Sequence, residues 1–230
     1  MKAAIIGYGK MGHEIERVLV ERGHEVLLKV DVGELDRLNP ETAKSIDVAF
    51  EFTTPATAYD NIKRCLSLGV AVVSGSTGWT ERKPELDALC LALGGAFFYS
   101  SNYSIGVNIL FRLNRDLARM MASQPQYKLS IEEVHHIHKL DAPSGTAITL
   151  AEGIADSTKG KITLPKEEIH SIREGEIAGI HTVSYDSPDD TITISHSSKS
   201  RRGLASGAVT AAEWVVGRHG VFGMNDLLNL

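Results

Sequence analysis

The chain has 230 residues, a formal charge of −5 from 24 basic and 29 acidic side chains, and 43% hydrophobic content. That balance disfavours a general nucleic-acid partner, and no apolar run reaches membrane-spanning length. Two isolated cysteines, Cys65 and Cys90, make no disulfide framework, and Met1 runs almost directly into apolar residues with no charged, cleavable leader. A soluble cytoplasmic protein with one large or two small domains is expected.

Ala3 to Ile6 reads as a short buried strand that ends in Gly7-Tyr8-Gly9-Lys10-Met11-Gly12. Met11, Ile15, Val18 and Leu19 then follow at helical spacing until Gly23. Strand, Gly-x-Gly-x-x-Gly and helix form the dinucleotide fingerprint in the context it requires. Glu25 to Val30 predicts the second strand, closed by Asp31 about twenty residues beyond the glycine loop. A carboxylate there accepts hydrogen bonds from ribose hydroxyls and repels a 2′-phosphate, so NADH is favoured. Lys10 leaves NADPH open through neutralisation of that phosphate. Strands are further predicted at Asp47 to Phe52, Val70 to Ser74 and Ala96 to Tyr99. Helices are predicted at Thr57 to Leu68 and Glu81 to Leu93. Such alternation means a doubly wound parallel sheet, which binds ligands at the carboxyl ends of its strands.

The second half changes character. A long amphipathic pattern from Val107 to Met121 reads as a core-facing helix. A strand from Lys128 leads into Glu133-Val134-His135-His136-Ile137-His138-Lys139-Leu140-Asp141-Ala142-Pro143-Ser144-Gly145-Thr146. Helical spacing resumes from Thr146 to Ala155. Ile169 to Arg173, Ile180 to Tyr185 and Thr191 to His196 are strands with period-two alternation, the pattern of a mixed sheet covered on one face by helices. Its other face is expected to need a partner and to form a subunit interface. Arg201 and Arg202 are candidates for clamping a carboxylate. A helical run from Gly207 to Val216 follows, and the apolar tail beyond Val221 should pack back on the first domain.

His135, His136, His138 and Lys139 place four titratable cations within five residues. Like charges so close repel unless an anion sits among them, which marks a functional site. The helix start at Ser144 adds unpaired backbone N–H groups and partial positive charge, suited to a carboxylate or phosphate. No metal is expected: His-His-x-His lacks the helical pair and glutamate of His-Glu-x-x-His, and neither cysteine is near in sequence.

The stretch from Glu133 to Ala147 resembles, without a gap, the E-x-H-H-x-x-K-x-D-x-P-S-G-T-A signature of the dihydrodipicolinate (4-hydroxy-tetrahydrodipicolinate) reductases. Glu51-Phe52-Thr53, Gly75-Ser76-Thr77-Gly78, Asn102 to Asn108 and Gly207-Ala208-Val209 support it, so the resemblance runs almost end to end. It is a short form of the family: the glycine loop is one residue shorter, the stretch between Asp31 and Asp47 is trimmed, and Ile180 stands where glutamate is common. The resemblance implies NAD(P)H-dependent reduction in lysine and diaminopimelate synthesis, a small dicarboxylate substrate, and a homotetramer. It also implies a Rossmann-type domain (residues 1–103 with 205–230) and a second α+β domain with a mixed sheet (104–204) for substrate and oligomerisation. His135 would be the acid/base residue and Lys139 the proton donor. His136, Gly145 and Thr146 would bind substrate carboxylates. Gly7, Tyr8, Gly9, Lys10, Met11, Gly12, Asp31, Gly75, Ser76, Thr77, Ser100, Ser101, Asn102 and Tyr103 would surround NADH or NADPH. The competing readings are another NAD(P)-linked imine reductase and a non-catalytic NAD(H) sensor; a sensor has no need of the proton-donor cluster.

Overall fold

The continuous apolar runs of the first half have the composition of strands buried on both faces, which is what a parallel sheet demands. In the computed structural model, which describes residues 1–230, they are β1 (Lys2–Ile6), β2 (Glu25–Val30), β3 (Val48–Glu51), β4 (Ala71–Ser74) and β5 (Ala96–Tyr99). Between them lie α1 (Lys10–Glu21), α2 (Pro40–Ala43), α3 (Pro55–Ser67) and α4 (Lys83–Ala92). The short α2 has no periodic signature; Asn39 starts it by accepting the N–H groups of Glu41 and Thr42 at 3.0 and 3.2 Å.

Continuing the chain, the second half gives α5 (Ile105–Met121), β6 (Lys128–His135), α6 (Gly145–Ser157), β7 (His170–Arg173), β8 (Ile180–Asp186) and β9 (Thr191–Ser197). The C-terminal residues then form α7 (Arg202–Val215), β10 (Gly220–Phe222) and α8 (Met224–Leu228). Two compact units result: residues 1–105 with 201–230, and residues 106–200.

The first unit holds a six-stranded sheet in the order β10-β5-β4-β3-β1-β2, with every pairing parallel. Alternate residues serve opposite faces. Ile5, Phe50 and Phe98 join Ile15, Leu19 and the alanines of α7, while Ile6, Ala49 and Phe97 join Ile62, Cys65 and Leu86. The chain's tail does return to this unit, with β10 pairing along β5. The order reverses between β2 and β3 on either side of β1, and the carboxyl ends there are where such sheets take ligands.

The second unit is a mixed sheet ordered β7-β6-β8-β9, with β6 and β7 parallel and the other pairs antiparallel. Its inner face divides along its length. Leu129 and Tyr185 form one row and Ile131, Val183 and Ile194 the next, packed with Leu110, Leu150 and Ile154 of α5 and α6, while Ile192 at the edge of the first row is exposed. One step further the row is Ser171, Glu133, His181 and His196. The apolar end is a core and the polar end is a site.

The open face is less apolar than the expected subunit interface would suggest. Much of it presents hydroxyls, Thr182 pairing with Ser195 at 2.9 Å and Ser184 with Thr193 at 3.0 Å, and its apolar side chains are confined to one end, where Val134 lies between Ile172 and Ile180. Apart from that row, the period-two apolar residues lie on the helix-covered side, which leaves the intervening serines and threonines outside. The guanidinium of Arg202, a candidate carboxylate clamp, is paired with Glu21.

Candidate active site

In the first unit the sequence-marked loops meet at the carboxyl ends of the strands. Gly7 has φ +92°, and a Cβ there would stand 2.1 Å from the Phe52 carbonyl oxygen. At Gly12 a Cβ would come within 2.5 Å of the Gly7 carbonyl oxygen. These two glycines let backbone pack on backbone. Gly9 is different, since a Cβ there would meet no protein atom within 4 Å. Its bare backbone faces open space at the N-cap of α1, where no side chain caps the helix and no acidic residue occupies the first turn. That is a cradle for a dinucleotide pyrophosphate. Tyr8 is held by Glu16, which also pairs with Lys29 at 2.6 Å. Lys10 and Met11 lie exposed and half-buried on the first turn.

Phe52 links these loops, for a Cβ on Gly75 would fall 2.1 Å from its ring. Beneath it lies a residue that spacing did not single out for a role. Glu51 is fully buried and accepts hydroxyl donors from Thr53, from Ser74 at 2.7 Å and from Ser76 at 2.9 Å. A buried carboxylate needs such donors, and here they fasten the loop after β3 to the loop after β4. Ser76 therefore spends its hydroxyl inside the protein, and what it can offer a ligand is backbone. Thr77 is exposed. Tyr103 is also turned inward, 2% exposed, with its hydroxyl donating to the Ser74 carbonyl at 2.7 Å. Ser100 accepts the Asn102 N–H at 3.2 Å and shapes the loop after β5, leaving Ser101 exposed. Asp31 stands exposed at the end of β2, its carboxylate fixed by the Val32 N–H at 2.9 Å, and Glu34 accepts the Asp31 N–H at 3.2 Å. A second carboxylate thus accompanies the predicted one.

In the second unit the end of β6 and the start of α6 converge on Glu133, which is 0% exposed. Its Oε1 accepts the Ser144 N–H at 3.1 Å and the Arg173 guanidinium at 2.9 Å. Its Oε2 lies 3.0 Å from His135 Nδ1 and 3.8 Å from His181 Nε2. His181 Nε2 is also 3.1 Å from the Ser144 hydroxyl, which caps α6 through the Ala147 N–H. Burial alone would raise the Glu133 pKa, but the Ser144 and Arg173 hydrogen bonds hold it down at about 2. Burial lowers the His135 pKa; Glu133 opposes that, while Lys139 and Arg173 add to it. Burial, with His135 beside it, brings His181 down to about 4.

The three histidines of the motif do not converge. His136 and His138 have ring centroids 6.0 Å apart, and His138 turns to the solvent and pairs with Glu176 at 3.2 Å. The donor atoms that lie within 4.8 Å of one another belong to Glu133, His135 and His181, and the Arg173 guanidinium already supplies the cation there. Lys139 donates to Asp141 at 2.8 Å, which lowers the Asp141 pKa. His136 keeps a buried Nδ1 with no hydrogen-bond partner. Gly145 opens α6 on empty space, with no atom within 4 Å of where a Cβ would be, and Thr146 follows it in the first turn. Arg173 and His181 were missed in the sequence because strand pairing brings them in; their only local signal is a polar, titratable residue on the inward register of a strand.

A parallel sheet with a dinucleotide cradle, joined in one chain to a unit bearing a buried acid/base cluster, defines a nicotinamide-dependent oxidoreductase. Residues 1–103 match the family model for the dihydrodipicolinate reductase N-terminus, and residues 106–228 match that for its C-terminus. A 4-hydroxy-tetrahydrodipicolinate reductase of Christiangramia forsetii is 43% identical across 100% of this chain and 98% of its own length. The enzyme of that name from Methanoculleus marisnigri is 36% identical over 96% of each chain. A dipicolinate-bound dihydrodipicolinate reductase from Paenisporosarcina superposes with a TM-score of 0.81 at 25% identity, covering 98% of both chains. The chain belongs to the dihydrodipicolinate reductase family, and it is an NAD(P)H-dependent oxidoreductase.

Proposed function

We infer that this chain reduces 4-hydroxy-tetrahydrodipicolinate to tetrahydrodipicolinate with NAD(P)H, as a step of lysine and diaminopimelate synthesis. The observation that carries the reading is the joining of Glu133, His135 and the α6 N-terminus in a chain that follows the reductase family over both of its parts. When bound, the nicotinamide supplies a hydride. The chain's own residues do the rest. The α1 N-terminus and Gly9 hold the pyrophosphate. His136, Lys139 and the first turn of α6 with Gly145 and Thr146 offset the charge of a small dicarboxylate. Hydride addition to a conjugated cyclic imine leaves enamine-like electron density, which a proton must quench. His135 gives that proton, and the Lys139 ammonium beside it supplies charge and a donor through which a proton is relayed back from solvent.

Asp31, backed by Glu34, favours NADH through the adenosine ribose, whereas Arg37, paired with Glu34 at 3.0 Å, and Lys10 give NADPH a foothold. Cytoplasmic action fits the free, buried thiols of Cys65 and Cys90. The half-buried row of Ile172, Val134 and Ile180 on the open face and the unpaired β9 edge of the mixed sheet support a homotetramer, for which light scattering should return four chain masses.

The test follows absorbance with each nucleotide while the preceding synthase generates substrate in situ. Both nucleotides should be oxidised only when substrate forms, and NADH should have the lower KM. Asp31→Ala should raise the KM for NADH about tenfold, the value of a lost charge-assisted hydrogen bond, and leave that for NADPH within a few-fold. No substrate-dependent oxidation of either nucleotide overturns the function; equal weakening of both overturns the role of Asp31.

A further inference from the structure

Glu133 is clamped at one oxygen and left open at the other. Oε1 is filled by Ser144 and Arg173, whereas Oε2 is buried with no hydrogen bond in place, and the Ser171 hydroxyl across the strand pair, which helps to keep the carboxylate ionised, supplies no orientation to a ring. The atom facing Oε2, His135 Nδ1, is equally buried and equally without a hydrogen bond, although only 3.0 Å separates the two. Two buried polar atoms left unsatisfied cost free energy, and a proton on Nδ1 with a small turn of the ring satisfies both at once. Nε2 is not among the sealed atoms of this ring. We propose that Glu133 is the positioning residue of the reduction: it keeps a proton on Nδ1 of His135 and so makes Nε2 the nitrogen that gives and recovers the reaction proton. This rests on the acid/base role of His135 proposed above.

The surroundings leave this task to Glu133. Facing His135 are Arg173 from β7, His181 from β8, and Lys139 and Asp141 from the loop after β6. Arg173 and Lys139 are cations. His181 is 3.8 Å from Oε2 against 3.0 Å for His135, and its Nε2 is engaged with the Ser144 hydroxyl. Asp141 is occupied by Lys139 at 2.8 Å. Gly179, where a Cβ would stand 3.0 Å from His135 Nε2, leaves that side of the ring unobstructed. In the chemical step the Nε2–H bond breaks and a C–H bond forms with the enamine electron pair. The electrons of the N–H bond stay on Nε2, Nδ1 keeps its proton against Glu133, and solvent returns a proton to Nε2.

Glu133→Gln keeps the shape and removes the charge. In the full-length enzyme kcat should fall about a hundredfold, because an imidazole that has lost its orienting carboxylate takes the wrong tautomer. KM for substrate should change less than threefold. A general acid must be protonated, so kcat/KM declines as pH rises through the His135 pKa. Glu133 opposes the lowering of the His135 pKa more than Asp141 does, so without its charge that decline should move to lower pH. Glu133→Asp should recover part of the rate. Nitrogen NMR of the labelled wild-type protein should find the neutral His135 ring protonated at Nδ1. Protonation at Nε2 in the wild type overturns the proposal, and so does a Glu133→Gln pH profile that superimposes on that of the wild type. If His135→Gln instead keeps its rate, the acid/base reading fails while the tautomer result stands, so the two failures are distinguishable. The wild-type spectrum decides the matter even if Glu133→Gln does not fold.

Discussion

His135→Gln should lower kcat by about 10²–10⁴-fold and leave KM for the dicarboxylate nearly unchanged, the signature of a lost general acid/base. Glutamine fills a similar volume and cannot exchange a proton in the working pH range. Lys139→Ala should fail differently. Its ammonium, with a side chain 22% exposed and paired with Asp141 at 2.8 Å, is a charge the anionic substrate meets in the ground state as well as in the transition state. Its removal should lower kcat about a hundredfold and raise KM about tenfold, since a charge-assisted contact is lost before reaction begins. Both variants should bind NADH with unchanged Kd, because Gly7, Gly9 and Gly12 belong to the other unit. Steady-state kinetics with nucleotide fluorescence titration reads all three quantities. A His135→Gln enzyme at wild-type kcat transfers the proton role to another group, and an unchanged KM in Lys139→Ala removes the lysine from substrate binding.

What could be read in advance follows from which forces are local. Central strands of a parallel sheet are apolar throughout, so Ala3 to Ile6 and Val70 to Ser74 announced themselves; β10 did not, because three residues at a sheet edge carry no period. The glycine loop was legible since its chemistry lies in one contiguous stretch. The division of labour within it was not: only neighbours in space tell Gly7 and Gly12, which admit Phe52 and Gly7 backbone, from Gly9, which faces open space. In the second unit the motif gave His135 and Lys139, but the register that sets His181 opposite Glu133 and Ser171 beside it is a property of strand pairing. The open sheet face was misjudged for a related reason. Val183, Tyr185 and Ile194 show that a strand has an apolar side, and what fills the other side must be read residue by residue, Thr182, Ser184, Thr193 and Ser195 over much of it and Val134, Ile172 and Ile180 at one end.

Gly207→Ala should destabilise the first unit more than any other single methyl added to a glycine of α7. The new Cβ would lie 1.8 Å from the Tyr103 carbonyl oxygen and 2.8 Å from its carbonyl carbon, both backbone atoms that cannot rotate away. Tyr103 cannot yield easily either, because its hydroxyl is bound to the Ser74 carbonyl at 2.7 Å and its ring packs 5.9 Å from Phe98 and 5.7 Å from Phe52. Helix α7 must then lift, which opens the face where Ala205, Ala208, Ala211, Ala212 and Val215 are each fully buried. Overpacking of this kind costs roughly 3 kcal/mol, enough to lower the melting temperature by about 6–12 °C in a chain of this size. Gly203 is the control. It lies in the same helix, a Cβ there meets nothing within 4 Å, and alanine should leave stability unchanged or raise it by about 0.5–1 kcal/mol. Thermal unfolding of the two variants side by side checks both. The Phe52–Tyr103 contact also ties this helix to the loops that carry Gly7 and Gly75, so the lift at Gly207 should raise the KM for NADH along with the loss of stability. A Gly207→Ala protein melting within about 2 °C of the Gly203→Ala protein would show that α7 has room the geometry denies it.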